Sequence, residues 1–195
     1  MTDAAVGRLL VASLHQSIAD LLPMRLEFYE AWLNPAGLRE GRIGLAPLAA
    51  VLSFLRLEGP PYHLIAARAG EYTAEWTVGG LSSWHKRIIL AAPPAIRKRL
   101  VVNVAGWMVR STYGATEVKV RWQKWRGAVD LRSSLFCEVR DRVDHPLCEF
   151  YAAAFRRLMS LFNLDVDVVT EQCRATGAKQ CAMSLTVRPV AGTLS

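Results

Sequence analysis

Four cysteines are the residues whose type and spacing could do chemistry here: Cys137, Cys148, Cys173 and Cys181. Three of them fall within the stretch from Cys148 to Cys181, which reads as a helix followed by two strands. Deprotonated thiols are soft ligands, and a zinc site needs several such donors converging at about 2.0–2.3 Å. Cys173 and Cys181 flank a turn containing Gly177, so paired strand ends bring them together. Cys148 follows Asp144-His145-Pro146, a capping residue and proline that mark a helix start, so its thiol belongs to a first helical turn. There the free N–H groups and the helix dipole favour a thiolate. Cys148, Cys173 and Cys181 fit a metal site, with Glu171 or Cys137 as fourth donor. Seven residues between the hairpin cysteines is not a generic zinc knuckle, and on spacing alone buried thiols serve as well. Cys137 alternates with Val129, Leu131, Leu135 and Val139, which predicts a strand with Cys137 on its apolar face.

The elements that must hold these residues follow from periodicity. Residues 4–22 carry Val6, Leu9, Leu10, Leu14, Ile18 and Leu21 at helical spacing, ending before Pro23. Phe28 to Leu33 is a short second helix stopped by Asn34-Pro35, and Gly37 to Gly44 is a loop. Leu45 to Leu57 is apolar on nearly every side, with Ser53 and Arg56 as exceptions, and so is expected to be buried on most faces. Tyr62 to Val78 shows a stripe of Ile65, Ala69, Tyr72 and Trp76, with Gly70 weakening the helix. Two further helices, Leu81 to Ala92 and Ala95 to Arg110, meet at Pro93-Pro94. From Gly114 the period becomes two: Val118, Val120 and Trp122 form one strand, and Arg126-Gly127 turns the chain into the next. Leu147, Phe150, Tyr151, Ala154, Leu158 and Leu161 give a helix, and strands follow at Leu164–Val168 and Cys181–Val187. Residues from Pro189 read as a frayed tail.

With 195 residues, 52% of them hydrophobic, the chain is expected to form one domain. Its helical half is about 1–112, and its sheet, helix and cysteine hairpin occupy about 114–189. No apolar run is long enough for a membrane span, and the start lacks a signal peptide's pattern, so the cytoplasm is the expected compartment. Its reducing poise favours thiols or metal ligands over disulfides. The net charge of +7 rests on 19 Arg against 5 Lys, spread along the chain without a block. Without a helix-turn-helix or zinc-finger pattern, nucleic acid is not the expected partner. Gly-x-Gly-x-x-Gly is absent, and no catalytic constellation stands out, so the reading leans away from an enzyme. Phe54, Tyr72, Trp84, His85 and Trp107 are candidate walls of a ligand pocket, with arginines at its rim to hold carboxylates. The same aromatics would equally serve as core.

The run from Ser134-Leu135-Phe136-Cys137 through Pro146-Leu147-Cys148-Glu149-Phe150-Tyr151 to Glu171-Gln172-Cys173-Arg174-Ala175-Thr176-Gly177 and Cys181 resembles the 4-vinyl reductase domain family. The resemblance lies mainly over residues 134–187. It implies an α+β fold like that of TRAPP subunits, helices packed on a four-stranded antiparallel sheet, often dimeric, with a small-molecule pocket between the layers. Zinc-binding members hold the metal with cysteines that match Cys148, Cys173 and Cys181. Their fourth ligand is an acidic residue three positions before the first hairpin cysteine. This chain has Thr170 there and Glu171 one step later, so Glu171 needs a bulge or local turn to reach the metal. The implied function is a stand-alone binding domain for a hydrophobic or tetrapyrrole-like molecule, held or delivered in (bacterio)chlorophyll synthesis. The alternative is a homodimeric scaffold or sensing regulator acting through a separate enzyme or regulator partner.

Overall fold

The computed structural model describes residues 6–33 and 44–188. The expected stop at Asn34-Pro35, the loop at 37–43, the tail from Pro189 and the first residues of the opening helix lie outside them. Among the described residues seven α-helices and four strands form one α+β fold. The helical half comprises α1 (Arg8–Leu21), α2 (Leu26–Leu33), α3 (Leu45–Leu57), α4 (Pro60–Gly79), α5 (Ser83–Ala91) and α6 (Pro94–Thr112). The second half comprises β1 (Glu117–Gln123), β2 (Arg126–Arg132), α7 (Glu149–Leu161), β3 (Val166–Gln172) and β4 (Cys181–Val187). The sheet is antiparallel in the order β1-β2-β4-β3.

Helix α7 is the middle layer. One side packs on the sheet against β3, and the other lies along α4. The α4 contact is made by small residues: Ala66, Ala69, Gly70 and Thr73 are all buried. A Cβ on Gly70 would sit 2.1 Å from the Phe150 carbonyl oxygen, so only glycine allows the two backbones this close. Gly70, which weakens the helix as sequence, is therefore what seats it in the fold. The buried face of α4 is accordingly rotated from the expected stripe. Ile65 and Ala69 are inside, whereas Tyr72 and Trp76 lie at the rim, paired ring to ring at 5.3 Å. Helix α3 also buries less than expected: Leu48, Val51, Leu52 and Leu55 form its one buried row, while Leu57 is exposed.

The sheet's inner face is Val129 and Leu131 from β2, Val166 and Val168 from β3, and Cys181, Met183 and Leu185 from β4. Three expected boundaries move in this half. The β1–β2 turn is Lys124-Trp125, with Gln123 paired to Arg126, because Lys124 takes the positive φ that a two-residue hairpin needs. The second strand ends at Arg132 and does not run on to Val139. Ser133 has φ 57°, which breaks the extended chain, and residues 135–137 close a 3-10 turn. Helix α7 likewise starts later than Asp144-His145-Pro146, with Cys148 as its N-cap residue.

Candidate metal centre and adjoining cavity

Cys137 is carried by the 3-10 turn after β2, Cys148 caps α7, Cys173 follows β3 and Cys181 opens β4. All four are buried and none is in a disulfide. Their sulfurs lie within 4.8 Å of one another. Cys148 is 3.3 Å from both Cys137 and Cys173, and Cys137 is 3.5 Å from both Cys173 and Cys181. At a metal–sulfur distance of about 2.3 Å the edges of a tetrahedron are roughly 3.8 Å long, so four sulfurs this close enclose a position for one ion. Disulfide bonds, at about 2.05 Å, are far shorter than any of these separations.

Polar hydrogens point at the sulfurs from outside. The Leu147 backbone N–H donates to Cys173 Sγ at 3.4 Å, and that of Arg174 to Cys181 Sγ at 3.4 Å. The Ser134 hydroxyl donates to Cys137 Sγ at 3.6 Å. Hydrogen bonds from neighbouring cysteines, Cys137 first, hold the Cys173 and Cys181 thiols well below the ordinary range, with those N–H groups adding to the effect. The Cys148 thiol is pushed up by the same crowding, from Cys137 first, and by burial. Two sulfurs thus have thiolate character before any ion is considered. The donor set suits a soft or borderline divalent ion and leaves no protein-free position for a substrate.

The geometry replaces Glu171 with Cys137 at the fourth corner. The bulge that Glu171 needs is present, between Thr170 and Gln172, but it acts in the opposite sense. Thr170 faces Met183 and Gln172 faces Ala182, which leaves Glu171 as the extra residue. The inserted residue shifts the phase of the strand by one, so Cys173 turns inward beside Cys181. Glu171 stays exposed and accepts a 2.6 Å hydrogen bond from the Ser184 hydroxyl. Gly177, at φ 99°, then allows the tight return from the 3-10 turn 174–176 into β4.

Beside the cysteines lies an apolar cavity of about 360 Å³, lined by Arg56, Gly59, Pro60, Tyr62, His63, Val143, His145 and Leu147. It sits between the α3–α4 corner and the segment that leads to Cys148. The Arg56 guanidinium donates through Nη2 to the carbonyls of Phe136 at 3.0 Å and Leu135 at 3.4 Å, fixing the turn that carries Cys137. His63 Nδ1 is 3.1 Å from Glu149 Oε1, and its ring meets that of His145 at 4.9 Å. Burial pushes the Tyr62 phenol well above its usual range. A wider, solvent-open groove of about 980 Å³ crosses the outside of the cysteine turn, lined by residues including Arg132, Glu171, Lys179 and Gln180.

The five aromatic candidates lie elsewhere, spread over four helices. Phe54 on α3 packs edge-on to Phe28 and against Trp32, with centroids at 5.4 and 5.5 Å. The Tyr72 hydroxyl on α4 donates to Asp20 of α1. On α5, Trp84 is exposed, and His85 Nδ1 lies 2.7 Å from the hydroxyl of the capping Ser82. Trp107 on α6 is half-exposed. None of the five lines the cavity beside the cysteines. The residues that do line it carry one sequence signal, Arg56, the lone charge in an otherwise apolar helix.

No curated protein sequence matches this chain closely. Solved structures match across nearly its whole length at low identity. An H-NOX protein from K. algicida, Fe(II) unliganded, has a TM-score of 0.63 at 9% identity, covering 97% of this chain and 100% of that one. The Fe(II)CO H-NOX domain of Shewanella oneidensis gives 0.59 at 12%, covering 95% and 99%. A trafficking protein particle complex subunit 3 from Naegleria fowleri, covalently bound to palmitic acid, gives 0.50 at 12%, covering 92% and 96%. At such identities the likeness is one of fold, and it bears out the TRAPP-like α+β architecture. The sequence match is narrower and more specific: residues 128–187, the segment that carries all four cysteines, match the 4-vinyl reductase domain, the family this segment resembles.

Proposed function

We propose that this protein is a small-molecule-binding domain whose cysteine half is stapled by one structural zinc ion. The observation that carries the reading is the enclosure of one position by four buried sulfurs drawn from four separate segments. Cys137, Cys148, Cys173 and Cys181 would hold the ion, and its role is to cross-link segments that otherwise share little regular structure. Four protein ligands close the coordination sphere, which suits a structural site and not a catalytic one. The 4-vinyl reductase domain match and the H-NOX-like fold support the binding role. The reduced cysteines agree with a cytoplasmic setting, and a dimer belongs to the same reading.

The test is native mass spectrometry of the purified protein, with an absorption spectrum of the same sample. One zinc per chain and a colourless spectrum support the staple. An iron occupant of the same thiolates would be coloured, and metal-free folded protein would sink the zinc assignment. A second reading, a tetrapyrrole held or delivered in (bacterio)chlorophyll synthesis, is favoured by the family match and would emerge as a retained pigment mass with a visible band. Retention of a separate regulatory protein by a colourless dimer would favour the scaffold or sensing alternative.

A further inference from the structure

Three of the buried polar atoms that lack a hydrogen-bond partner among the described residues gather around one cavity: Arg56 Nε, Tyr62 Oη and Glu149 Oε2. Arg56 and Tyr62 line the cavity beside the cysteines, and Glu149 stands behind His63, which also lines it. Arg56 and Glu149 are otherwise committed. Arg56 spends Nη2 on the Leu135 and Phe136 carbonyls, and Glu149 spends Oε1 on His63. Tyr62 is only 2% exposed, so water outside the protein does not reach its hydroxyl. An unpaired buried polar group costs about 1–3 kcal/mol, so three in one place call for a common partner. The remaining wall, including Gly59, Pro60, Val143 and Leu147, is apolar.

We infer that this cavity is the ligand site, and that it takes a small, largely apolar molecule ending in one neutral group that both accepts and donates hydrogen bonds. This deepens the binding-domain reading and rests on it. The acceptor of the head group serves Arg56 Nε–H and Tyr62 O–H, and its donor serves Glu149 Oε2. A charged carboxylate fits poorly because Glu149 is already there, and a pure hydrocarbon leaves all three atoms unpaired. The volume, about 360 Å³, lies at the small end of ligand pockets, which run from about 300 to 1,000 Å³.

The experiment is calorimetric titration of the metal-loaded protein with benzamide, benzoate and ethylbenzene as probes. Benzamide is expected to bind, and to bind more tightly than either of the others. Tyr62→Phe should weaken benzamide roughly three- to tenfold, the loss of one neutral hydrogen bond. Val143→Phe, which fills the cavity without touching its polar atoms, should abolish binding while leaving the metal content at the wild-type value. Benzamide binding no better than ethylbenzene, or binding undiminished in both variants, overturns the inference. Should a molecule that co-purifies with the protein survive Val143→Phe, this site is wrong while the binding-domain reading stands.

Discussion

Cys137 and Glu171 separate two ways in which a chain can supply a fourth ligand. Cys137 comes from a turn held in place by two hydrogen bonds from Arg56 and one from Ser134 to its sulfur. Glu171 comes from a bulge whose side chain is turned outward to Ser184. Cys137→Ser should therefore lose the ion as readily as Cys173→Ser does, whereas Glu171→Gln should keep it fully. The measurement is metal release to a colorimetric chelator, followed by a thermal melt. Because metal-binding energy in such sites is folding energy, the serine variants should lose at least about 3 kcal/mol, or roughly 6–12 °C in Tm. Cys148, Cys173 and Cys181 are legible in the sequence, because a capped helix start and a glycine turn each leave a local signature. Cys137 is only an alternative there, since Val129, Leu131, Leu135 and Cys137 keep the alternation of a strand. A single positive φ at Ser133 ends that strand, and serine gives no warning of it.

Among the elements, α7 bears the closest packing, because α4 lies against its backbone at Gly70 and the sheet lies behind it. Gly70→Ala would place a methyl group against the Phe150 carbonyl, a backbone atom that cannot swing aside. The two helices would have to separate, at a cost of about 1–3 kcal/mol, seen as a Tm lower by roughly 2–12 °C. In a free helix the same change would be stabilising, so the sign of the shift reports the contact. The helices themselves are readable from apolar spacing and proline: α5 and α6 meet at Pro93-Pro94 as expected, within two residues at each end. Which face each one buries is less readable. Tyr72 and Trp76 look like core by hydrophobicity, yet alanine and glycine take the inside of α4, because closeness of approach outweighs side-chain size there.

In the whole molecule, the cysteines tie together segments from residue 137 to residue 181, and between Cys137 and Cys148 the chain has no helix or strand. Stripping the ion with a strong chelator under reducing conditions should loosen that span first. Amide hydrogen exchange should rise around 137–148 and 173–181 while α1 and the core of α4 stay protected; uniform exchange across the chain would show that the ion is no local staple. One residue joins this cross-link to the cavity. Leu147 lines the cavity, while its own backbone N–H holds the sulfur of Cys173. A guest in the cavity therefore rests against the very residue that grips a metal ligand, and the tightness of that grip is open to being tuned by the guest. Occupancy and metal retention become two readings of one state: the slower the ion leaves, the fuller the cavity.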